Sequence, residues 1–334
     1  MREFAYVRAA DVSGAVRLAG PQMRYLAGAT NLFDLMREEV ETPELVVDIS
    51  RLPLSAVEDL PDGGLRLGAL ASNSQVAADD RVRRRYPVLA RALLKGASPQ
   101  LRNRATVGGN LLQRTRCRYF YDLHAACNKR APGAGCAALD GFNRTHAVLG
   151  ASPSCVAVHP SDMCVALAAL DATVNLTGQD GERSVPITDF HRLPGETPHM
   201  ETVLREGELV TSVDLPPEQP GPGDYVKVRD RASYAFALVS VAASLRVENG
   251  RIARARIALG GVAPRPWRAY AAEELLVGAA TGEAAAGEAA AGEAFGRAAE
   301  EAVAGAAPLE HNAFKVELAR RLVRRTLIEL AGRS

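Results

Sequence analysis

Residues 100–160 show neither the 3.6-residue period of an amphipathic helix nor the alternation of a strand, yet four of the five cysteines fall inside them. The core of this stretch reads "RNRATVGGNLLQRTRCRYFYDLHAACNKRAPGAGCAALDG", residues 102–141. So long an aperiodic segment is uncommon within a compact domain unless it is functional or disordered. Either something holds these residues or they hold something.

The four cysteines, Cys117, Cys127, Cys136 and Cys155, are spaced C-x9-C-x8-C-x18-C. That is too open for a zinc ribbon built from paired C-x2-C knuckles. An odd total is also a poor disulfide framework. Four thiolates gathered from a long loop suit a [4Fe–4S] cluster, which asks for cysteine and tolerates varied spacing. Arg114, Arg116, Arg118, Lys129, Arg130 and Arg144 supply positive charge for an anionic cluster, and backbone N–H groups around Gly133 and Gly135 are expected to donate to sulfur. Free buried thiols are the alternative, although Cys117, Cys127 and Cys136 sit among polar, Gly and Pro residues. Cys164, in the apolar run "DMCVALAAL", reads as a core residue. His124, His146 and His159 lie in the same region, and a solvated loop histidine is the commoner reading than a ligand.

Two glycine-bearing segments precede or begin this stretch. In "YLAGATNLFDL" a strand turns through Gly28 into a helix starting near Asn31, which offers unpaired N–H groups to a phosphate. In "ATVGGNLLQ", Gly108 and Gly109 remove two β-carbons where a flat or anionic ligand could lie, flanked by Thr106 and Asn110. Taken singly, each is also an ordinary turn. Neither matches a P-loop or the G-x-G-x-x-G fingerprint, which disfavours a nucleotide-hydrolysing or nicotinamide-binding domain.

The remaining chain reads as follows. The first fifty residues form a small β–α–β unit, with Leu32, Leu35 and Met36 on one helical face. "GLRLGALAS" is the next strand, and "SQVAADDRVRRRYPVLARALLKGAS" is helical with a break near Pro87. "SDMCVALAALDATVNLTG" is a helix capped by Ser161, then a strand. A boundary lies at the Pro- and Gly-rich residues 214–224. Strands joined by a turn at Asn249–Gly250 follow, with helical character at 235–245. The repeat "TGEAAAGEAAAGEAFG" reads as a mobile or weakly helical surface insert, and "AFKVELARRLVRRTLIELAG" as an amphipathic helix. The length of 334 residues allows about two domains. Net charge +1 and 5% aromatics give nucleic-acid binding little support. No stretch approaches the roughly 18 apolar residues of a membrane span. "MREFAYVRAADVSG" has no apolar h-region and no twin arginine, so no export signal is expected on this chain.

Together these segments resemble the FAD-binding subunit of the molybdenum hydroxylases, the xanthine dehydrogenase family. "YLAGATNLFDLM" is similar to the family's first FAD-pyrophosphate loop, "RNRATVGGNLLQ" to its second, and "HPSDMCVALAALDATV" to the segment that follows. "YVKVRDRASYAFALVSVAASL" and the terminal helix are similar to its C-terminal domain. The cysteine-bearing block resembles an insertion in the flavin subunit of three-subunit periplasmic aldehyde oxidoreductases, which carry an extra [4Fe–4S] cluster there. 4-Hydroxybenzoyl-CoA reductase has a related insertion and stands as the alternative.

The resemblance implies an α/β fold of the CO-dehydrogenase flavoprotein type. An FAD-binding domain of two subdomains would span residues 1–217, with the cysteine loop at about 114–160. A C-terminal domain of a three-stranded sheet plus helices would span 222–332. FAD contacts carry over to Leu26, Ala27, Gly28, Ala29, Thr30, Asn31 and Leu32 on the pyrophosphate, and to Thr106, Gly109, Asn110 and Asp162 around the ribityl and phosphate region, with Lys227 near the isoalloxazine. Ala29 stands where a second Gly is frequent. The cluster ligands carry over to Cys117, Cys127, Cys136 and Cys155. The implied partners are a large molybdenum-cofactor subunit, which would oxidise an aldehyde, and a small subunit with [2Fe–2S] clusters. Electrons would leave through FAD to an external acceptor. Location would be cytoplasmic, or periplasmic by co-export with a signal-bearing partner. A rival from a different class is a structural zinc module, with four cysteines on zinc and both glycine segments as plain turns.

Overall fold

The computed structural model describes residues 1–217, 221–281 and 285–333, without the side chains of 285–290. The chain opens as a three-stranded parallel sheet in which Leu45–Asp48 lies between Ala5–Arg8 and Met23–Leu26. Parallel neighbours need a crossover, and helices Val12–Arg17 and Leu32–Arg37 supply it. Leu35 and Met36 are buried as their spacing requires.

A five-stranded sheet follows, ordered Val57–Asp59, Leu65–Gly68, Leu209–Leu215, Thr173–Gly178, Gly181–Pro186. The expected helical stretch after it divides into Asn73–Ala78, Asp80–Arg85 and Pro87–Lys95. Pro87 begins the last, as anticipated. The extra break falls at Asp79, whose backbone is extended and whose carboxylate accepts from Arg81 N at 2.8 Å to start the next helix. Helix Asp162–Ala169 is buried along all its residues, which is why it reads as apolar all round. Ser161 Oγ caps it, accepting from Cys164 N at 3.0 Å.

The last sheet is antiparallel, with three long strands, Gly223–Val228, Val239–Glu248 and Arg251–Gly260, and the two-residue Trp267–Arg268 at its edge. The helical character expected at 235–245 is overturned, since Val239–Glu248 pairs with strands on both sides. Val239, Val241, Ala243 and Leu245 face the C-terminal helices, and Ala242 faces the core around helix Asp162–Ala169. Burial on both faces hides the alternation that would mark a strand. The Asn249–Gly250 turn is present, both residues with positive φ (52° and 71°).

The alanine–glycine repeat is also corrected. Residues 282–284 lie outside the described residues, but Ala285–Glu301 is a helix, and Ala291, Ala294, Phe295 and Ala298 are buried in the C-terminal core. Ala291, Ala294 and Phe295 form a packing face. The terminal helix Phe314–Ala331 buries Leu322, Val323, Leu327 and Leu330, as periodicity requires. It also buries Lys315, which no pattern announces. The Lys315 ammonium donates to the carbonyls of His146 (2.8 Å), Thr145 (3.2 Å) and Gly261, tying the terminal helix to the end of the cysteine-bearing stretch.

Residues 100–160 are irregular apart from the short helices Pro99–Arg104, Val107–Leu111 and Arg118–Tyr121. Among the described residues, no helix is long and apolar enough to cross a membrane.

Candidate functional site: two loops and a cysteine set

The two glycine segments meet. A β-carbon on Gly28 would lie 1.9 Å from Arg104 O and 2.7 Å from its carbonyl carbon. Gly28 therefore allows the first loop to press on the chain entering the second. Ala29 next to it has φ +65°, the left-handed region in which glycine is cheaper by about 1–2 kcal/mol. Thr106 Oγ1 accepts from Gly109 N at 3.1 Å and caps helix Val107–Leu111. Gly108 and Gly109 both line the first of two cavities at these loops, but their surroundings differ. Gly108 N donates to Ala69 O at 2.8 Å, and a β-carbon there would sit 3.3 Å from Ala69, so it serves packing. Gly109 has only the Thr106 hydroxyl within reach of an added β-carbon.

Asn31 does not cap its helix; its Oδ1 accepts from Arg114 N at 2.8 Å, joining the first loop to the cysteine stretch. Its Nδ2 is buried with no partner. Asn110 Oδ1 accepts from Ser161 Oγ at 2.6 Å. Asp162 pairs with Lys227 at 2.8 Å, both nearly buried, and accepts from the Tyr225 hydroxyl. Burial, reinforced by Asp162, pushes the Tyr225 hydroxyl well above the ordinary tyrosine range, so it stays a donor.

Two cavities of about 370 Å³ each adjoin at these loops. Ala27, Gly28, Ala29, Leu32 and Thr106 line the first. Asn110, Asp162 and Lys227 line the second, with Tyr234 and Phe236 at its mouth. Thr30, Asn31 and Gly109 line both. Of the predicted contacts only Leu26 lies off these walls, buried at the end of its strand. A small backbone wall shared by two cavities, with an unpartnered amide donor at the junction, suits an elongated, acceptor-rich ligand such as a dinucleotide. Tyr234 and Phe236 were missed by sequence reasoning; two exposed aromatics in a polar segment were the available signal.

The four loop cysteines converge. Asn128 N donates to Gly135 O at 2.7 Å and Ala137 N to Ala126 O at 2.9 Å, a two-rung ladder that sets Cys127 opposite Cys136. Asn128 Nδ2 donates to Ser154 O at 3.0 Å and draws in Cys155. Cys127 and Cys117 pack with Leu35 and Phe120, against the helix that leaves the first glycine loop. Burial pushes the Cys117 thiol up to about 12, with Cys127 and Cys155 adding to the rise. Cys155 is raised by burial too, with Cys136 and Cys127 contributing. The ladder and the Asn128 bond thus bring Cys127, Cys136 and Cys155 together, with Cys117 packed against the hydrophobic cluster that holds Cys127. No three of these sulfurs lie mutually within 4.8 Å among the described residues. One zinc with Zn–S near 2.3 Å needs sulfurs roughly 4 Å apart, closer than this set lies. All five cysteines are free thiols.

Two expectations about the surroundings change. Gly135 N is engaged by Asn128 Oδ1 at 2.8 Å and is not directed at sulfur. Much of the positive charge is spent elsewhere: Lys129 and Arg114 on Glu201, Arg144 on Asp230, and Arg130 on the carbonyls of residues 119, 120 and 125. Of the histidines, His124 is exposed, and His146 Nε2 lies 3.1 Å from Cys117 Sγ.

A family profile described as the FAD binding domain in molybdopterin dehydrogenase matches residues 2–218, and one described as the CO dehydrogenase flavoprotein C-terminal domain matches 224–330. The chain belongs to the FAD-binding subunits of the molybdenum hydroxylases. It is 49% identical over 332 residues to the aldehyde oxidoreductase FAD-binding subunit PaoB of Escherichia coli K12, covering 98% of both chains. It is 28% identical to the glyceraldehyde dehydrogenase medium chain of Sulfolobus acidocaldarius, covering 83% of this chain and 82% of that one. Among solved structures it is similar to carbon monoxide dehydrogenase from Hydrogenophaga pseudoflava, with a TM-score of 0.75 and 26% identity over 99% of this chain and 98% of that one. As a molybdenum-hydroxylase flavin subunit, the protein is an FAD-binding oxidoreductase subunit of the aldehyde oxidoreductase and xanthine dehydrogenase type. The zinc-module reading, which left both glycine loops as plain turns, is set aside.

Proposed function

We propose that the subunit serves an aldehyde-oxidising complex, passing electrons from partner molybdenum and [2Fe–2S] subunits through its FAD to an external acceptor. The observation that carries this reading is the pair of adjoining cavities around Gly28, Asn31 and Gly109, with the cysteine set packed against the helix leaving the first loop. Bound there, FAD supplies the exchange between one- and two-electron carriers. Residues 27–32 hold its pyrophosphate, with the Asn31 amide as donor. Thr106, Gly109 and Asn110 hold the ribityl and phosphate region, and the Asp162–Lys227 pair presents a fixed cation near the isoalloxazine. Phe236 screens that end from water. Cys117, Cys127, Cys136 and Cys155 hold a [4Fe–4S] cluster. Substrate chemistry takes place on a large molybdenum subunit, and a small [2Fe–2S] subunit feeds the flavin. The complex works in the cytoplasm, or in the periplasm after co-export with a signal-bearing subunit.

An anaerobic absorption spectrum of the purified chain, with flavin and iron counted, tests this reading. Flavin bands with about four irons per chain are expected. Flavin without iron would remove the cluster and leave the flavin site standing. Replacing Cys127→Ser should lose the cluster iron while flavin stays; unchanged iron would overturn the ligand assignment.

A further inference from the structure

Away from the four-cysteine set, one ring nitrogen each of His159 and His191 and the sulfur of Cys164 lie mutually within 4.8 Å. The three come from separate places: the segment before helix Asp162–Ala169, the connection after helix Ile187–Phe190, and the helix Asp162–Ala169 itself. The two rings lie tilted at 53° to each other with centroids 4.2 Å apart. Both point Nε2 at one carbonyl, Leu111 O, at 2.9 Å for His191 and 3.4 Å for His159. A carbonyl can only accept, so each Nε2 carries its ring's proton and each Nδ1 is left as an acceptor. Both Nδ1 atoms are buried with no partner. Each orphaned acceptor costs about 1–3 kcal/mol. Burial holds both rings neutral, His191 down to about 4 and His159 well below its ordinary value.

Nitrogen ligands whose other ring N–H donates to a backbone carbonyl are the usual form of a metal-binding histidine. A third ligand atom is already in place, a thiol on a fully buried residue. A cavity of about 300 Å³ lined by both histidines, Thr115 and Glu201 leaves room for a water.

We propose that His159, His191 and Cys164 bind one zinc ion, separate from the cysteine set and independent of the flavin reading. The ion takes one nitrogen from each ring and the Cys164 thiolate, with a water from the cavity as fourth ligand. Uptake breaks the Cys164 S–H bond and releases its proton to solvent; nothing is oxidised or reduced. The site is structural. It ties helix Asp162–Ala169 to the 187–202 connection, next to the Leu111 carbonyl that both rings contact. Zinc suits two imidazoles and one thiolate, and its coordination closes at bond lengths of about 2.0–2.3 Å, which requires the three groups to draw in by roughly an ångström.

The test is elemental analysis of the purified complex after dialysis against a mild chelator, with zinc X-ray absorption on the same sample. About one zinc per chain is expected, in a shell of one sulfur and two or three nitrogen or oxygen atoms. Cys164→Ala and His191→Gln should each lower zinc at least about tenfold, with iron and flavin per chain unchanged. Absence of zinc, a shell of four sulfurs, or zinc retained in both variants overturns the proposal. Should a variant fail to fold, the wild-type absorption shell decides by itself.

Discussion

At the scale of single residues, contacts decide what each glycine is for. Gly28→Ala would drive a β-carbon into Arg104 O, so the two loops must part. We expect a loss of about 1–3 kcal/mol in stability and a preparation that sheds flavin on gel filtration. A variant that keeps full flavin would mean the loop contact is dispensable. Glu201 supplies a pH dependence. Burial works to raise its carboxyl, but Arg114 and Lys129 outweigh that and hold it below the ordinary 4.5. The charged group therefore stabilises the fold in full above the unfolded value near 4.5. That contribution is lost as pH falls through the lower folded value. Glu201→Gln should be less stable than wild type at pH 7, and the gap should close as denaturation midpoints are followed into acid. A gap that stays constant with pH would show that the Glu201 charge does not matter.

At the scale of elements, the repeat helix Ala285–Glu301 is the informative case. Gly292 and Gly296 have nothing within 4 Å of an added β-carbon, whereas Phe295 between them is buried. Replacing either glycine with alanine should stabilise by about 0.5–1 kcal/mol. Phe295→Ala should cost about 3–5 kcal/mol. Thermal or denaturant unfolding reads both, and a neutral Phe295→Ala would return the segment to a surface insert. The repeat misled because its glycines lower helix propensity, while the packing that overrides propensity comes from helix Tyr270–Leu276 and the terminal helix, both outside the segment. Similarly, residues 235–245 showed no strand signal because neighbours on both faces remove the need for polar alternation. The terminal helix and the Ser161 cap were legible because both are local patterns.

At the scale of the whole molecule, ion pairs join the two family-matched regions, among them Arg144–Asp230, Asp171–Arg268 and the buried Asp162–Lys227. Asp162 belongs to the first and Lys227 to the second, with Tyr225 donating to the same carboxylate. Asp162→Ala leaves the Lys227 ammonium buried and unpaired, at a cost of about 3–5 kcal/mol. Adding Lys227→Met should recover part of that loss in a double-mutant cycle. Simple additivity of the two would show that the pair does not couple the regions.

The order of local signals was enough to mark the parallel unit, the two glycine loops, the cap at Ser161 and the cysteine spacing. These are properties of short runs, each dictated by backbone geometry or ligand chemistry. Tertiary structure alone decided that Gly28 serves a loop–loop contact, that Gly108 packs on Ala69, and that Asn128 stitches Cys127 to Cys136 and Cys155. It also decided that His159, His191 and Cys164 meet. Each depends on atoms brought together from distant segments, where burial, absent from any local pattern, sets which polar groups find partners and which are left to find a ligand.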